Sequence, residues 1–453
     1  MNAQVSRIAF TRTMNAPSKA DPVPFTRSAS LMLGLSQTHQ PVTMAAKFAN
    51  RHGLITGATG SGKTRSLVRL ASEFNRLGVP VFAPDMKGDL AELIAASIPA
   101  RVPAVRLVPG VNFRLSLRDL GGDLASRAMG LTDAQRGALD DYLDLGCETP
   151  AAIKARPTRL ASAATERALF RGLGRLDNAN FGPGGFDVAS LIAKPAPVTI
   201  LHARDIAEQG ATYAVTLTYM LRELYTRLPE RGDADLPVLA FFIDEAHMLF
   251  TGAPAELVSE IERMVRLIRS RGVSLWFVTQ SPADLPDGIL AQLQNRIQHS
   301  LRAVTPKDWR GVRAAIDTMP PGDFVDAVKT LGTLAPGRAL VSLVGHSGQP
   351  GKTVLCTVAS PDYMPAEPCT ESVLTVMQSF VAPVAPPRPV AVVVPVAGRV
   401  KLRRGNYNPN GVDPAVLAVR ILKVAAMVIG TLVVVSLACF VACIPHTKPG
   451  RRH

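Results

Sequence analysis

The residues best suited to chemistry stand together in one stretch. Gly57-Ala58-Thr59-Gly60-Ser61-Gly62-Lys63-Thr64 fits G-x-x-x-x-G-K-S/T, the spacing of a phosphate-binding loop. Three glycines let the backbone turn tightly and bring its N–H groups onto phosphate oxygens. Lys63 supplies a point charge for the β- and γ-phosphates, and the Thr64 hydroxyl is a ligand for Mg²⁺. Arg65 completes the candidate nucleotide-binding set at the start of a helix whose N-terminal dipole favours anions. The loop must be held between a strand and a helix, and the flanking residues provide both. Residues 53–56 (GLIT) read as a short buried strand. Residues 65–77 place Leu67, Val68, Leu70, Ala71 and Phe74 at helical spacing.

A second group lies far along the chain. The apolar run 237–243 has the character of a central parallel strand and ends in Asp244-Glu245-Ala246-His247. Asp244 at the strand tip suits a Mg²⁺ contact, and Glu245 is placed to polarise an attacking water. Gln280 closes the strand 274–279, where it either senses the γ-phosphate or is a plain loop amide. Asp85-Met86-Lys87-Gly88-Asp89 ends the strand 79–83. It reads equally as a ligand-contacting cluster or as a strand-to-helix turn with an Asp cap. The strand 295–302 carries Arg296 and Arg302. The amphipathic helix 256–271 carries Arg263, Arg266, Arg269 and Arg271 opposite its apolar face, a pattern that also suits a merely solvated surface.

Strands alternating with helices define an α/β fold with a mainly parallel sheet. Residues 115–195 form an α-rich insertion, and strands over 339–344 and 353–358 close the sheet. Residues 1–45 read as a flexible arm without a secretory signal, and 46–365 as the main domain. A Pro-rich, then basic, linker follows over 381–423. Residues 424–444 are 21 uncharged residues, long enough for one transmembrane helix, and 445–453 are a short basic tail. The formal charge of +14 invites a nucleic-acid reading, but it sits in the tails: residues 51–384 hold 35 Lys/Arg against 34 Asp/Glu. Cys147, Cys356, Cys369, Cys439 and Cys443 make no Cys-x-x-Cys pair, so neither a disulfide framework nor a zinc site is expected.

From residue 50 to 361 the chain resembles the HerA-like helicase-domain ATPases of bacteria, of the YjgR type, within the HerA–FtsK class. The resemblance rests on six stretches in order: 50–64, 85–90, 242–250, 265–273, 277–280 and 292–303. It implies a RecA-like P-loop core, ATP and Mg²⁺ as cofactors, and a homo-oligomeric ring, typically a hexamer, that moves double-stranded DNA or, in cousins, another polymer. The family's Walker lysine falls on Lys63, its Walker B pair on Asp244 and Glu245, and its strand-end glutamine on Gln280. Arginines donated between subunits are also implied, with Arg296 and Arg302 the first candidates and Arg269 and Arg271 the next. HerA proper has an N-terminal β-barrel domain that residues 1–45 are too few to form, so no nuclease partner is implied. The C-terminal segment adds an inner-membrane, single-pass anchor with the ATPase in the cytoplasm. Two functions follow: a membrane-tethered DNA translocase, or a membrane-associated assembly or secretion ATPase acting on protein or a virion. A nucleotide switch without motor activity is a third, weaker reading.

Overall fold

The computed structural model describes residues 29–361, apart from short breaks at 99–101, 158, 177–179, 183–185, 208–210, 233, 302–305, 323–325 and 346. Arg302, the linker over 381–423, the apolar segment 424–444 and the tail 445–453 lie outside the described residues. So do Cys369, Cys439 and Cys443.

Eleven strands form one sheet: β1 (Ser30–Ser36), β2 (Pro41–Ala45), β3 (Gly53–Thr56), β4 (Val81–Asp85), β5 (Ala104–Leu107), β6 (Val198–His202), β7 (Leu239–Ile243), β8 (Val273–Thr279), β9 (Asn295–His299), β10 (Arg338–Ser342) and β11 (Val354–Val358). Their spatial order is β2-β1-β11-β10-β9-β3-β8-β7-β4-β6-β5. From β9 to β5 every pairing is parallel. From β9 to β2 every pairing is antiparallel. The sheet is thus parallel through its nucleotide half and antiparallel at one end.

Side chains alternate along each central strand, and both faces are dry. Phe241, Ile243, Leu275 and Phe277 enter one core, while Ala240, Phe242, Trp276 and Val278 enter the other. The second core is covered by α1 (Lys63–Arg76) and α2 (Leu90–Ala96). The first is covered by α3 (Leu117–Met129), α4 (Asp133–Asp144), α5 (Pro150–Ala155) and α6 (Ala163–Leu173), all between β5 and β6, and by helices later in the chain. Those later helices are α7 (Arg204–Ala207), α8 (Thr212–Arg227), α9 (Ala255–Ile268) and α10 (Asp287–Leu290). The antiparallel end is covered by α11 (Pro306–Asp317) and α12 (Ala327–Thr333), which pack on Leu340 and Leu355. On α9 the buried stripe is Leu257, Ile261, Met264, Val265 and Ile268, each worth roughly 2 kcal/mol over an exposed position.

The flexible arm expected over 1–45 is corrected from residue 30 onward, because 30–45 is a hairpin built into the sheet, and residues 1–28 lie outside the described residues. Its anchoring is specific. β1 reaches β11 only from Gly34 onward, which leaves the Met32 peptide without a partner on that side. Two side chains of α1 take the missing strand's place: Met32 N–H donates to Glu73 Oε2 at 2.9 Å, and Arg69 Nε donates to Met32 O at 2.9 Å. Gly34 is required here, since a Cβ would stand 2.1 Å from Thr357 O. β5 was also missed by the sequence reading, since Arg106 breaks the apolar run of its four residues. Among the described residues no helix is long and apolar enough to cross a membrane.

Candidate active site

The carboxyl ends of parallel strands are where this architecture gathers ligand-contacting groups. Here the ends of β3, β4, β7, β8 and β9 bring together the phosphate loop, Lys87, Asp244–Glu245, Gln280 and His299.

The loop between β3 and α1 is braced on three sides. Gly57 N–H donates to Gln280 O at 3.2 Å, Ala58 N–H to Ser300 O at 2.8 Å, and Gly337 N–H to Ser61 O at 3.0 Å. Gly57 has φ 151° and Gly62 φ 112°. A Cβ on Gly57 would lie 2.5 Å from His299 Cβ, and one on Gly62 would lie 2.8 Å from Gly337 N. Both glycines are therefore demanded by conformation and by space. Lys63 is the first residue of α1 and 8 % exposed. Its ammonium donates to Gly57 O at 2.7 Å and Ala58 O at 3.2 Å. Burial lowers its pKa, with Glu245 opposing the shift. A buried ammonium resting on loop carbonyls is poised to exchange them for anionic oxygens. Arg65 points away from the loop, donating to Ser360 Oγ at 2.6 Å beyond the end of β11.

The two acids leave β7 in different directions. Asp244 is 7 % exposed, and burial pushes its carboxyl up to about 6, with Glu245 adding to the rise and Lys87 and Lys63 opposing it. A carboxylate so placed is favoured in ionised form by a cation beside it. Glu245 sits in the left-handed region at φ 46°, a conformation that a non-glycine residue holds only when its surroundings impose it. Its Oε1 lies 2.6 Å from Lys87 Nζ, and its Oε2 is buried without a hydrogen-bond partner. Tyr213, fully buried on α8, donates to Asp244 O at 3.4 Å. Mg²⁺–ATP fits these groups: the cradle has no room for a Cβ at Gly57 or Gly62, Lys63 is a buried cation, and Asp244 is a buried acid. Thr64 and Asp244 would hold the metal, which supplies neutralisation of phosphate charge, and Lys63 with the backbone of Gly57–Thr64 would hold the phosphates. Glu245 has a free buried oxygen with which to take a proton from water.

Gln280 stands just after β8, exposed, and lines an open pocket of about 460 Å³ with His247, Phe250, Thr251 and Asp284. The Asp85 cluster resolves into two roles. Asp85 is a brace, its carboxylate accepting from Gly88 N at 2.6 Å and Ala91 N at 3.1 Å. Lys87 is a site residue that the sequence reading left without a role; the Asp-x-Lys-Gly turn at a strand end was the available signal. His299 was missed as well. It lies fully buried behind the loop, where Nδ1–H donates to Arg338 O at 3.0 Å, so that Nε2 accepts from Ser66 Oγ at 2.8 Å. Burial holds it neutral, with its pKa lowered to about 4.

The arginines are not gathered here. Arg296 lies in β9, and its guanidinium donates to Leu290 O at 2.9 Å and Thr318 Oγ1 at 3.3 Å. Arg269 and Arg271 precede β8, at the amino ends of the parallel strands, opposite the phosphate loop at their carboxyl ends. Arg271 stacks 4.5 Å over Tyr225.

A mainly parallel sheet with a phosphate loop, a buried strand-end acid and a second carboxylate beside it, paired with Lys87, defines a P-loop ATPase that uses ATP and Mg²⁺. The chain belongs to the HerA-like family: the model described as "Helicase HerA-like C-terminal" matches residues 31–108 and 158–380. Among solved structures it is similar to the bacterial conjugative coupling protein TrwBdeltaN70, at 14% identity over 76% of this chain and 92% of that one, with a TM-score of 0.56. The plasmid coupling protein TrwB in complex with ADP and Mg2+ is similar at 16% identity over 76% and 92%, TM-score 0.54. VirB4 of Thermoanaerobacter pseudethanolicus is similar at 14% identity over 75% and 98%, TM-score 0.51. No curated protein matches the chain.

Proposed function

We propose that the chain is a membrane-tethered motor that assembles as a ring, typically a hexamer, and uses ATP hydrolysis to move double-stranded DNA. The observation that carries this reading is the HerA-like match, which includes both the loop at Lys63 and the acids at Asp244 and Glu245. The structural likeness to a conjugative coupling protein supports the same direction. Hydrolysis in a ring draws on an arginine from the neighbouring subunit. Arg269 and Arg271 suit that role by standing away from their own phosphate loop, and Arg296 does so only if it leaves Leu290 and Thr318. Gln280, exposed beside the loop, is the residue to report the γ-phosphate. Residues 424–444 form the anchor in the inner membrane, with the ATPase in the cytoplasm where ATP is supplied.

The test is the ATPase rate of a chain ending at residue 384, with and without double-stranded DNA. Stimulation supports the DNA motor; a rate indifferent to DNA at low salt excludes it. A second reading, an assembly or secretion ATPase acting on protein or a virion, is favoured by the near balance of charge over residues 51–384. A DNA-indifferent ATPase that is stimulated by a membrane-bound partner fits that case.

A further inference from the structure

Lys87 sits in a turn that is held from three directions. The Asp85 carboxylate takes the N–H groups of Gly88 and Ala91. Gly88 adopts φ 90°, which lets the turn close. The Arg204 guanidinium donates to the carbonyl of Lys87 itself. The backbone is therefore fixed, and only the side chain is left to move. That side chain is 47% exposed, whereas the Glu245 carboxylate it meets is 13% exposed.

The contact has a chemical consequence. An ammonium 2.6 Å from Oε1 occupies one oxygen of Glu245 and keeps that oxygen from reaching a water. The other oxygen, Oε2, is buried and unpartnered, and the neighbouring His247 Nδ1 at 3.6 Å is unpartnered too. Lys63 shows the same posture on the other side of the site, its ammonium resting on loop carbonyls. Both lysines are thus bound to protein acceptors that a phosphate would outcompete. Lys63 is buried and short of alternatives. Lys87 is long, half-exposed and hinged on a rigid turn.

We propose that Lys87 is a positioning residue that holds Glu245 in a resting ion pair and exchanges it for the γ-phosphate of ATP. The exchange frees both oxygens of Glu245 at the moment a γ-phosphate is present. ADP offers no γ-phosphate, so the pair persists with ADP bound. The pair thereby makes the base available only when there is a bond to hydrolyse. This inference rests on Glu245 serving as the base in the ATPase described above.

The experiment is a binding cycle on the full-length chain with a non-hydrolysable ATP analogue and, separately, ADP. The variants are Lys87→Met, Lys87→Arg, Glu245→Gln and the double variant Lys87→Met with Glu245→Gln. Glu245→Gln releases Lys87, so it tightens the ATP analogue by about ten-fold, within the usual range for linked groups. The same substitution made on Lys87→Met tightens it by less than about three-fold, the remainder being removal of a negative charge near the phosphate. ADP affinity changes by less than about two-fold throughout, and Lys87→Arg retains most of the preference for the ATP analogue because it keeps the charge. Equal gains from Glu245→Gln with and without Lys87 overturn the proposal, as does an equal shift for ADP. If no variant, and not the parent either, binds nucleotide, the reading of the site itself falls and this proposal with it.

Discussion

Replacing Asp244 by Asn should make the metal-free protein more stable, and more so as pH rises. The wild-type carboxyl is 7 % exposed and its pKa is raised from 3.8 to about 6. At 1.36 kcal/mol per pH unit, the ionised form is therefore disfavoured in the folded chain by roughly 3 kcal/mol relative to the unfolded one. The sign follows from proton counting. Between 3.8 and about 6 the folded state binds the extra proton, so Asp244 subtracts stability as pH rises through that window and leaves the full deficit above it. His52 and His299 act in the opposite sense. Burial lowers both from 6.5 to about 4, so their contribution is present near neutrality and is lost as pH falls. They are common to both proteins and cancel in the difference. Urea unfolding of wild type and Asp244→Asn with a chelator present should show the gap in favour of the variant widening by about 2 kcal/mol from pH 4.5 to 7.5. Mg²⁺ with nucleotide should then stabilise the wild type far more than the variant. A gap that stays flat or narrows with pH would refute the argument that this acid is held against its desolvation for the sake of a cation.

Four further outcomes are expected. Lys63→Ala should lose nucleotide affinity in equilibrium binding, while Glu245→Gln should bind ATP yet turn over at least ~10²-fold more slowly, the scale for losing a positioned base; normal turnover in the latter removes Glu245 from the mechanism. Gly57→Ala should lower stability by roughly 2 kcal/mol in thermal or urea unfolding, because a methyl group at φ 151° meets His299 and Ser61; an unchanged midpoint contradicts the braced loop. A variant at Arg269, Arg271, Arg296 or Arg302 that has lost roughly 10³-fold in rate should recover part of it when mixed with Lys63→Ala subunits, since some mixed interfaces regain one intact half from each; failure of all four in rings shown to exchange subunits excludes a trans role. A chain stopped at residue 396 should leave the membrane fraction while the full chain stays in it through carbonate washing; a full chain that washes off has no anchor at 424–444.

Much of the site was legible because its chemistry is local in sequence. The glycine spacing of the loop, the lysine and the hydroxyl are consecutive, and the structure gives a reason for two of the glycines: Gly57 and Gly62 stand where a Cβ has no room. The tip of β7 was equally readable, since a strand buried on both faces has no structural reason to end in two acids. Parallel strands were readable for the same cause, their apolar runs being continuous. What stayed hidden depends on partners distant in sequence. The hairpin 30–45 is defined by β11, some 320 residues later, and by two α1 side chains that serve the Met32 peptide. His299 reads as one more polar residue at a strand end until Ser66 and the Arg338 carbonyl close on it.

Lys87 shows how this limit bears on function. On paper, Asp85-Met86-Lys87-Gly88-Asp89 serves as well for a capped turn as for a ligand contact, and the folded chain uses it as both. Asp85 spends its carboxylate entirely on the backbone of the turn. That rigidity is what carries the Lys87 ammonium across to a carboxylate 158 positions later in the chain. The two strands concerned, β4 and β7, are adjacent and parallel, so their carboxyl ends must lie side by side. Opposite charges at neighbouring strand ends, in a site walled by buried residues, attract more strongly than they would in water. The pairing of Lys87 with Glu245 therefore follows from strand order rather than from either local sequence, and only a group that competes for the ammonium can undo it.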